Sequence, residues 1–139
     1  MGVSKFKEFA ERNKSILDDK LAAEIQHKKG KLTARERLMY LLDAGSFIEL
    51  DAFAELQSKE LESKKKLGDG VITGYGAINK KPAYVYAQDF SFMGGSMGEM
   101  HNKKIASIME LALKTGCPCI GLLDSGGARI QEGVSALDA

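Results

Sequence analysis

Apolar residues at Phe6, Phe9, Ile16, Leu17, Leu21 and Ile25 fall at helical spacing, with Glu, Lys and Arg on the other face. The pattern predicts one amphipathic helix over residues 4–28, stopped by Gly30. Such a helix cannot bury its stripe alone and must pack on the body of the protein or on a partner. Thr33-Ala34-Arg35-Glu36 fits a capping box, which predicts a short helix with Leu38, Leu41 and Leu42 on one side, ended by Gly45. The period then shortens. Residues 46–51 read as a short strand with Phe47 and Leu50 available for burial, and residues 55–68, polar and lysine-rich, as a mobile excursion. Residues 71–78 and 82–88 are β-rich runs about Asn79-Lys80-Lys81, a hairpin with Asn79 suited to a positive φ. Gly74 and Gly76, on alternate residues, imply a strand closely approached on one face.

Residues 83–134 organise the rest. A strand (Ala83 to Ala87) leads into a glycine turn, Met93-Gly94-Gly95-Ser96-Met97-Gly98. A helix over 98–115 follows, with Met97, His101, Ile105, Ile108 and Ala112 on one stripe and Glu99–Lys103 and Glu110–Lys114 as exposed pairs. Gly116 and Pro118 end it. A second strand (Cys119 to Leu123) leads into a second glycine turn, Asp124-Ser125-Gly126-Gly127-Ala128-Arg129, and residues 130–137 predict another helix. This is a βαβ unit with a glycine turn at the carboxyl end of each strand, where open α/β sheets place ligands. Backbone N–H groups at such turns are donors to an anion or a developing oxyanion. One βαβ unit with a hairpin leaves a sheet face uncovered, so the chain reads as truncated.

Composition narrows the function classes. With 139 residues and a net charge of +1, nothing marks a nucleic-acid surface, and Lys64-Lys65-Lys66 reads as a solvated loop. No apolar run approaches the roughly 18 residues of a membrane helix, and no secretory or transit signal opens the chain, so a cytoplasmic protein is expected. Cys117 and Cys119 are expected on opposite faces of one strand, as buried, unpaired hydrophobes, with no metal site.

Gly94-Gly95-Ser96-Met97-Gly98 matches the G-x-S-x-G nucleophile elbow, so a serine hydrolase using Ser96 is one hypothesis. It needs a base, and His101, on the adjoining helix, cannot fold back onto Ser96; it reads instead as a satisfied helix residue. The second turn, Gly126-Gly127-Ala128, is either an oxyanion cradle or a tight connection that merely needs glycine. Arg129 opens the predicted last helix against its dipole, which suggests a carboxylate or phosphate partner. Asp89 is a candidate to orient the first turn. Met93, Met97 and Met100 read as packing.

These residues carry a family resemblance. Gly30-Lys31-Leu32-Thr33-Ala34-Arg35-Glu36-Arg37-Leu38, Gly45-Ser46-Phe47-Ile48-Glu49, Gly70-Val71-Ile72-Thr73-Gly74-Tyr75-Gly76, Asp89-Phe90 with Gly94-Gly95-Ser96, Gly98-Glu99-Met100-His101, and 124–133 resemble, in colinear order, the N-terminal part of acyl-CoA carboxyltransferase subunits. That family includes the β subunits of propionyl-CoA carboxylase and the α subunits of methylmalonyl-CoA and glutaconyl-CoA decarboxylases. The resemblance implies an α/β, crotonase-like fold built from ββα units. Residues 1–45 would be an N-terminal helical segment, and 46–139 the front part of the first carboxyltransferase domain. It implies carboxyl transfer between carboxybiotin and an acyl-CoA through an enolate, with Gly127 and Ala128 as backbone oxyanion donors and Gly94, Gly95, Ser96 and Gly126 at the acyl-CoA. No cofactor is expected on this segment. Carboxybiotin would come on a biotin carboxyl carrier, with biotin carboxylase or membrane decarboxylase subunits as further partners and a homo-oligomer at full length. The four-cysteine zinc ribbon of the bacterial acetyl-CoA carboxyltransferase β subunit has no counterpart here, which favours the propionyl/methylmalonyl type. After Gly133-Val134 the chain departs from the family's leucine-alanine-glycine run. A biotin-dependent sodium-pump decarboxylase and a non-catalytic CoA-binding module remain alternatives, and the isolated segment is expected to be inactive.

Overall fold

The structure, a computed structural model, describes residues 2–18, 20–58 and 61–138. The leading helix is not continuous. It forms as α1 (Gly2–Leu17) and α2 (Lys20–His27), with the break at Asp18. Asp favours helix ends over interiors because its short carboxylate competes for nearby backbone donors. Little of the apolar stripe is covered: Phe6, Leu17 and Leu21 are exposed, and Phe9 makes a tilted contact with Phe53 at 5.5 Å. The capping box ahead of α3 (Ala34–Leu41) is present in both directions, Thr33 Oγ1 accepting from the Glu36 N–H and the Glu36 carboxylate from the Thr33 N–H.

Four strands, β1 (Ile48–Leu50), β2 (Val71–Ile78), β3 (Lys81–Gln88) and β4 (Cys119–Leu122), lie in the order β1-β2-β3-β4, which leaves β4 on an edge. β1, β2 and β3 pair antiparallel, and β4 runs parallel to β3 after the crossover helix α4 (Glu99–Thr115). The hairpin turn is two residues, Asn79 and Lys80, both at positive φ, with Lys81 already paired to Ile78. That is the turn whose twist matches the strands. The Asp43 carboxylate accepts from both N–H groups and holds it.

Side chains alternate across the sheet. Val85 and Ala87 face α3, forming a core with Ala34, Leu38 and Leu42. Gly74 and Gly76 face the same way, where a Cβ on Gly74 would meet the Phe47 ring at 2.7 Å and one on Gly76 would meet Leu42 at 3.0 Å. The close approach read from their spacing is therefore real. α4 covers the opposite face with His101, Lys104, Ile108 and Ala112, its buried residues. It ends at Gly116, which is left-handed at φ 68°.

Three further expectations need correction. Residues 55–58 and 61–68, read as a mobile excursion, bury Leu56 and Leu61 and include one 3-10 turn, Glu62–Lys64. Residues 130–137 do not form an α-helix: a 3-10 stretch, Ile130–Ala136, is interrupted by Gly133 at φ 57°, ψ −133°. Cys119 is exposed and Cys117, half-buried, precedes β4. Residues two apart in a strand share a face in any case, so the expected opposite placement fails on both grounds.

Candidate functional site

Both glycine turns leave the carboxyl ends of the parallel pair, β3 feeding the first and β4 the second. The first is set by Asp89, as its position suggested. Its carboxylate accepts from the Ser91 N–H at 2.9 Å and from Lys66 at 2.7 Å, so Lys66 is not simply solvated. Met93, Gly94 and Gly95 then follow one another at positive φ. Gly95 is buried against the second turn, where any Cβ would overlap the Asp124 carbonyl.

Backbone hydrogen bonds stitch the turns together. The Gly126 N–H donates to Gly94 O (2.9 Å), the Met97 N–H to Gly127 O (2.9 Å), and the Arg129 N–H to Met97 O (2.8 Å). The last two make Met97 and Ala128 a parallel bridge. A trans peptide directs its C=O and N–H to opposite sides. Because Gly127 O points at Met97, the Ala128 N–H points away from the first turn, and Ala128 is exposed. It has no acceptor among the described residues, whereas the Gly127 N–H rests on Ser125 Oγ at 3.1 Å. Beside this peptide lies a hollow of about 500 Å³ lined by Gln88, Met97, Leu123, Asp124, Ser125 and Gly127. Two successive peptides thus offer N–H groups here, the free one of Ala128 and the displaceable one of Gly127.

Beneath the second turn lies a charged cluster. Arg129 is fully buried, and its carboxylate partners are Asp69 (2.6 Å) and Glu132 (2.8 Å). It also donates to Ser96 O at 2.9 Å and Ser96 Oγ at 3.3 Å. The carboxylate partner suspected for Arg129 is therefore internal. Burial pushes the Asp69 carboxyl up, against the Arg129 guanidinium that favours its charge. His101 is buried and satisfied, as read: Nδ1 lies 3.1 Å from Asp69 O and Nε2 lies 3.3 Å from the Gln88 amide nitrogen. A carbonyl only accepts, so Nδ1 carries the proton and Nε2 accepts from the amide. Burial holds this imidazole neutral, its pKa lowered to about 4. The Ser96 hydroxyl contacts Arg129, and neither ring nitrogen of His101 is directed to it, so the elbow pattern has no triad geometry.

Of the residues singled out, Gly127 and Ala128 border the hollow or face solvent, Gly94 and Gly126 are partly or fully open, and Gly95 and Ser96 lie beneath. Sequence reasoning missed Asp69, Glu132 and Lys104. Lys104 is buried and donates to Gly68 O at 2.9 Å and Val71 O at 2.5 Å; burial lowers its pKa to about 8. Two signals were available: glycines on both sides of Asp69, and a lysine on the His101–Ile108 stripe at helical spacing.

Residues 25–139 match the model of the carboxyl transferase domain. The chain belongs to that family. It is 54% identical over 114 residues to the propionyl-CoA carboxylase beta chain of Saccharopolyspora erythraea, covering 81% of this chain and 21% of that one. It is 53% identical over 116 residues to the methylmalonyl-CoA decarboxylase subunit alpha of Veillonella parvula, covering 82% and 23%. Among solved structures, transcarboxylase 12S with methylmalonyl-coenzyme A and methylmalonic acid bound, described as a hexamer assembly, superposes with a TM-score of 0.90 at 41% identity, over 99% of this chain and 28% of that one. The expected α/β, crotonase-like fold is the fold of these carboxyl transferase neighbours. The chain spans about a fifth of the length of the curated relatives it matches. No helix among the described residues is long and apolar enough to cross a membrane.

Proposed function

We propose that the chain is the front part of the carboxyltransferase subunit of a biotin-dependent acyl-CoA carboxylase, acting on the propionyl-CoA/methylmalonyl-CoA pair. The observation that carries this reading is the Gly127–Ala128 peptide, held by its carbonyl from the first turn and leaving the Ala128 N–H unsatisfied next to Gly127, which lines the hollow. Loss of the α-proton from an acyl-CoA puts negative charge on the thioester oxygen. Preorganised N–H donors stabilise such an oxygen more than the neutral carbonyl, which lowers the barrier. Ala128 supplies one donor, and Gly127 supplies the second once the substrate oxygen displaces Ser125 Oγ. Gly94 and Gly126 lie open beside the donors at the acyl-CoA, while Gly95 and Ser96 support them from below.

Carboxybiotin, the carboxyl carrier, arrives on a partner subunit, and no residue of this chain is assigned to it. The partners proposed are a biotin carboxyl carrier and biotin carboxylase, with homo-oligomerisation of the full-length subunit. The similarity to the Veillonella decarboxylase subunit favours one second reading, in which the same segment serves a sodium-pump decarboxylase with membrane partners.

The test is carboxyl transfer from carboxybiotin to propionyl-CoA in the full-length protein. Gly127→Val, which forces a branched residue to φ 113°, should lower kcat on the order of 10²–10³. An unchanged kcat would mean that the donor assignment is wrong. The 139-residue chain alone should show no turnover.

A further inference from the structure

The second glycine turn is anchored at both ends on one residue, Asp69, which lies 55 positions before the turn begins at Asp124. One arm runs through its side chain, where Asp69 Oδ1 holds Arg129 Nη1 at 2.6 Å, at the far end of the turn. The other arm runs through its carbonyl. Asp69 O accepts from His101 Nδ1, His101 Nε2 accepts from Gln88 Nε2, and Gln88 Oε1 accepts from the Asp124 N–H at 3.1 Å, at the near end. Asp69, His101, Arg129 and Gln88 are all at least 98% buried, so water does not replace a lost link.

Asp69 is itself held in an unusual conformation. Gly68, Asp69 and Gly70 are consecutive positive-φ residues, and Lys104 pins the carbonyls of Gly68 and Val71 on either side. A non-glycine residue in that region carries a strain cost, which persists only where surrounding contacts enforce it. No residue of this loop touches the hollow.

We propose that Asp69 is a positioning residue for carboxyl transfer, fixing both ends of the 124–129 turn so that the Gly127–Ala128 peptide keeps its aim. This rests on the function proposed above. A turn fixed at Asp124, at Arg129 and through Met97 in the middle has little freedom to rotate its central peptide. Releasing one anchor leaves the fold and the hollow in place but loosens the donor.

The experiment uses the full-length protein with Asp69→Asn, which keeps the shape and tolerates φ 45°, and Gln88→Leu, which cuts the other arm and also replaces one polar wall of the hollow. Three quantities are read: kcat against KM for propionyl-CoA, the melting temperature, and the infrared C=O stretch of bound ¹³C-labelled thioester. In the unmodified protein the stretch should shift to lower wavenumber on binding. Asp69→Asn should lower kcat about 10- to 100-fold with KM within about threefold, and lose most of the carbonyl shift. Gln88→Leu should do the same to a smaller degree. A folded Asp69→Asn protein with the original kcat and carbonyl shift overturns the proposal. So does a loss of activity fully matched by loss of folded protein in both variants, which would make the network a fold-holding one only. An unmodified protein with neither turnover nor carbonyl shift sinks the functional reading itself, and the positioning role with it.

Discussion

The two glycine turns look alike in sequence and are used in opposite ways. In the first, Gly95 is required by what lies close: the Asp124 carbonyl occupies the space its side chain would take. In the second, a Cβ on Gly127 would meet nothing within 4 Å, and glycine serves the backbone angle, φ 113°. One turn is a packing surface, and the other rests on it and leaves the Ala128 N–H exposed and unsatisfied. A glycine-rich turn after a strand is thus not by itself a ligand site. What distinguishes the two is which N–H groups remain after internal bonds are counted.

That contrast can be broken from its base upward. Arg129→Met leaves Asp69 and Glu132 buried without their cation, so it should destabilise by about 3–5 kcal/mol in urea unfolding and disturb both turns together. Gly95→Ala should cost about 3 kcal/mol from overlap with Asp124 plus its positive φ, and because it shifts Asp124 it should also lower kcat modestly per folded molecule.

Acid should separate the buried base from the surface. His101 has a native pKa of about 4, below its usual 6.5, so the unfolded chain binds the extra proton between those values. Stability should therefore rise with pH across this window and fall by about 3 kcal/mol on acidification through it. Asp69, with a raised pKa, works in the opposite direction just above 3.8, so the slope is best measured between pH 6.5 and 5. A flat unfolding free energy there would show that the imidazole is not held neutral.

Gly127→Ala should cost only about 1–2 kcal/mol of stability, from φ alone, yet reduce kcat far more than Gly95→Ala does per folded molecule. The smallest effect belongs to Ser96→Ala, which removes one long hydrogen bond to Arg129. It should cost about 1 kcal/mol or less and leave turnover within a few-fold; complete loss of activity would revive the nucleophile reading.

Local chemistry was legible because its partners are close in sequence. Thr33 and Glu36 are three apart, the hairpin turn is bounded by two β runs, and Gly116 stops a clear helical stripe. That the two glycine turns pair was also legible, since each closes a strand of one βαβ unit. The cluster beneath them was not, since Arg129 meets Asp69 across 60 positions and charged residues ordinarily default to the surface. Lys104 was hidden for the same reason. The break at Asp18 and the 3-10 stretch at Ile130–Ala136 were missed because apolar spacing continues through both, while a short carboxylate and Gly133 decide the backbone.

The edge position of β4 has a practical consequence for anyone preparing this chain alone. Its outer side carries backbone donors and acceptors with no strand beside them among the described residues, and Leu123, just past its end, is 71% exposed. Such an edge is a template for another strand. Purified at high concentration, the 139-residue chain should self-associate through β4. A lysine placed at Gly121 would clash with Tyr86, so the solubilising charge belongs at exposed Cys119 or Leu123 instead.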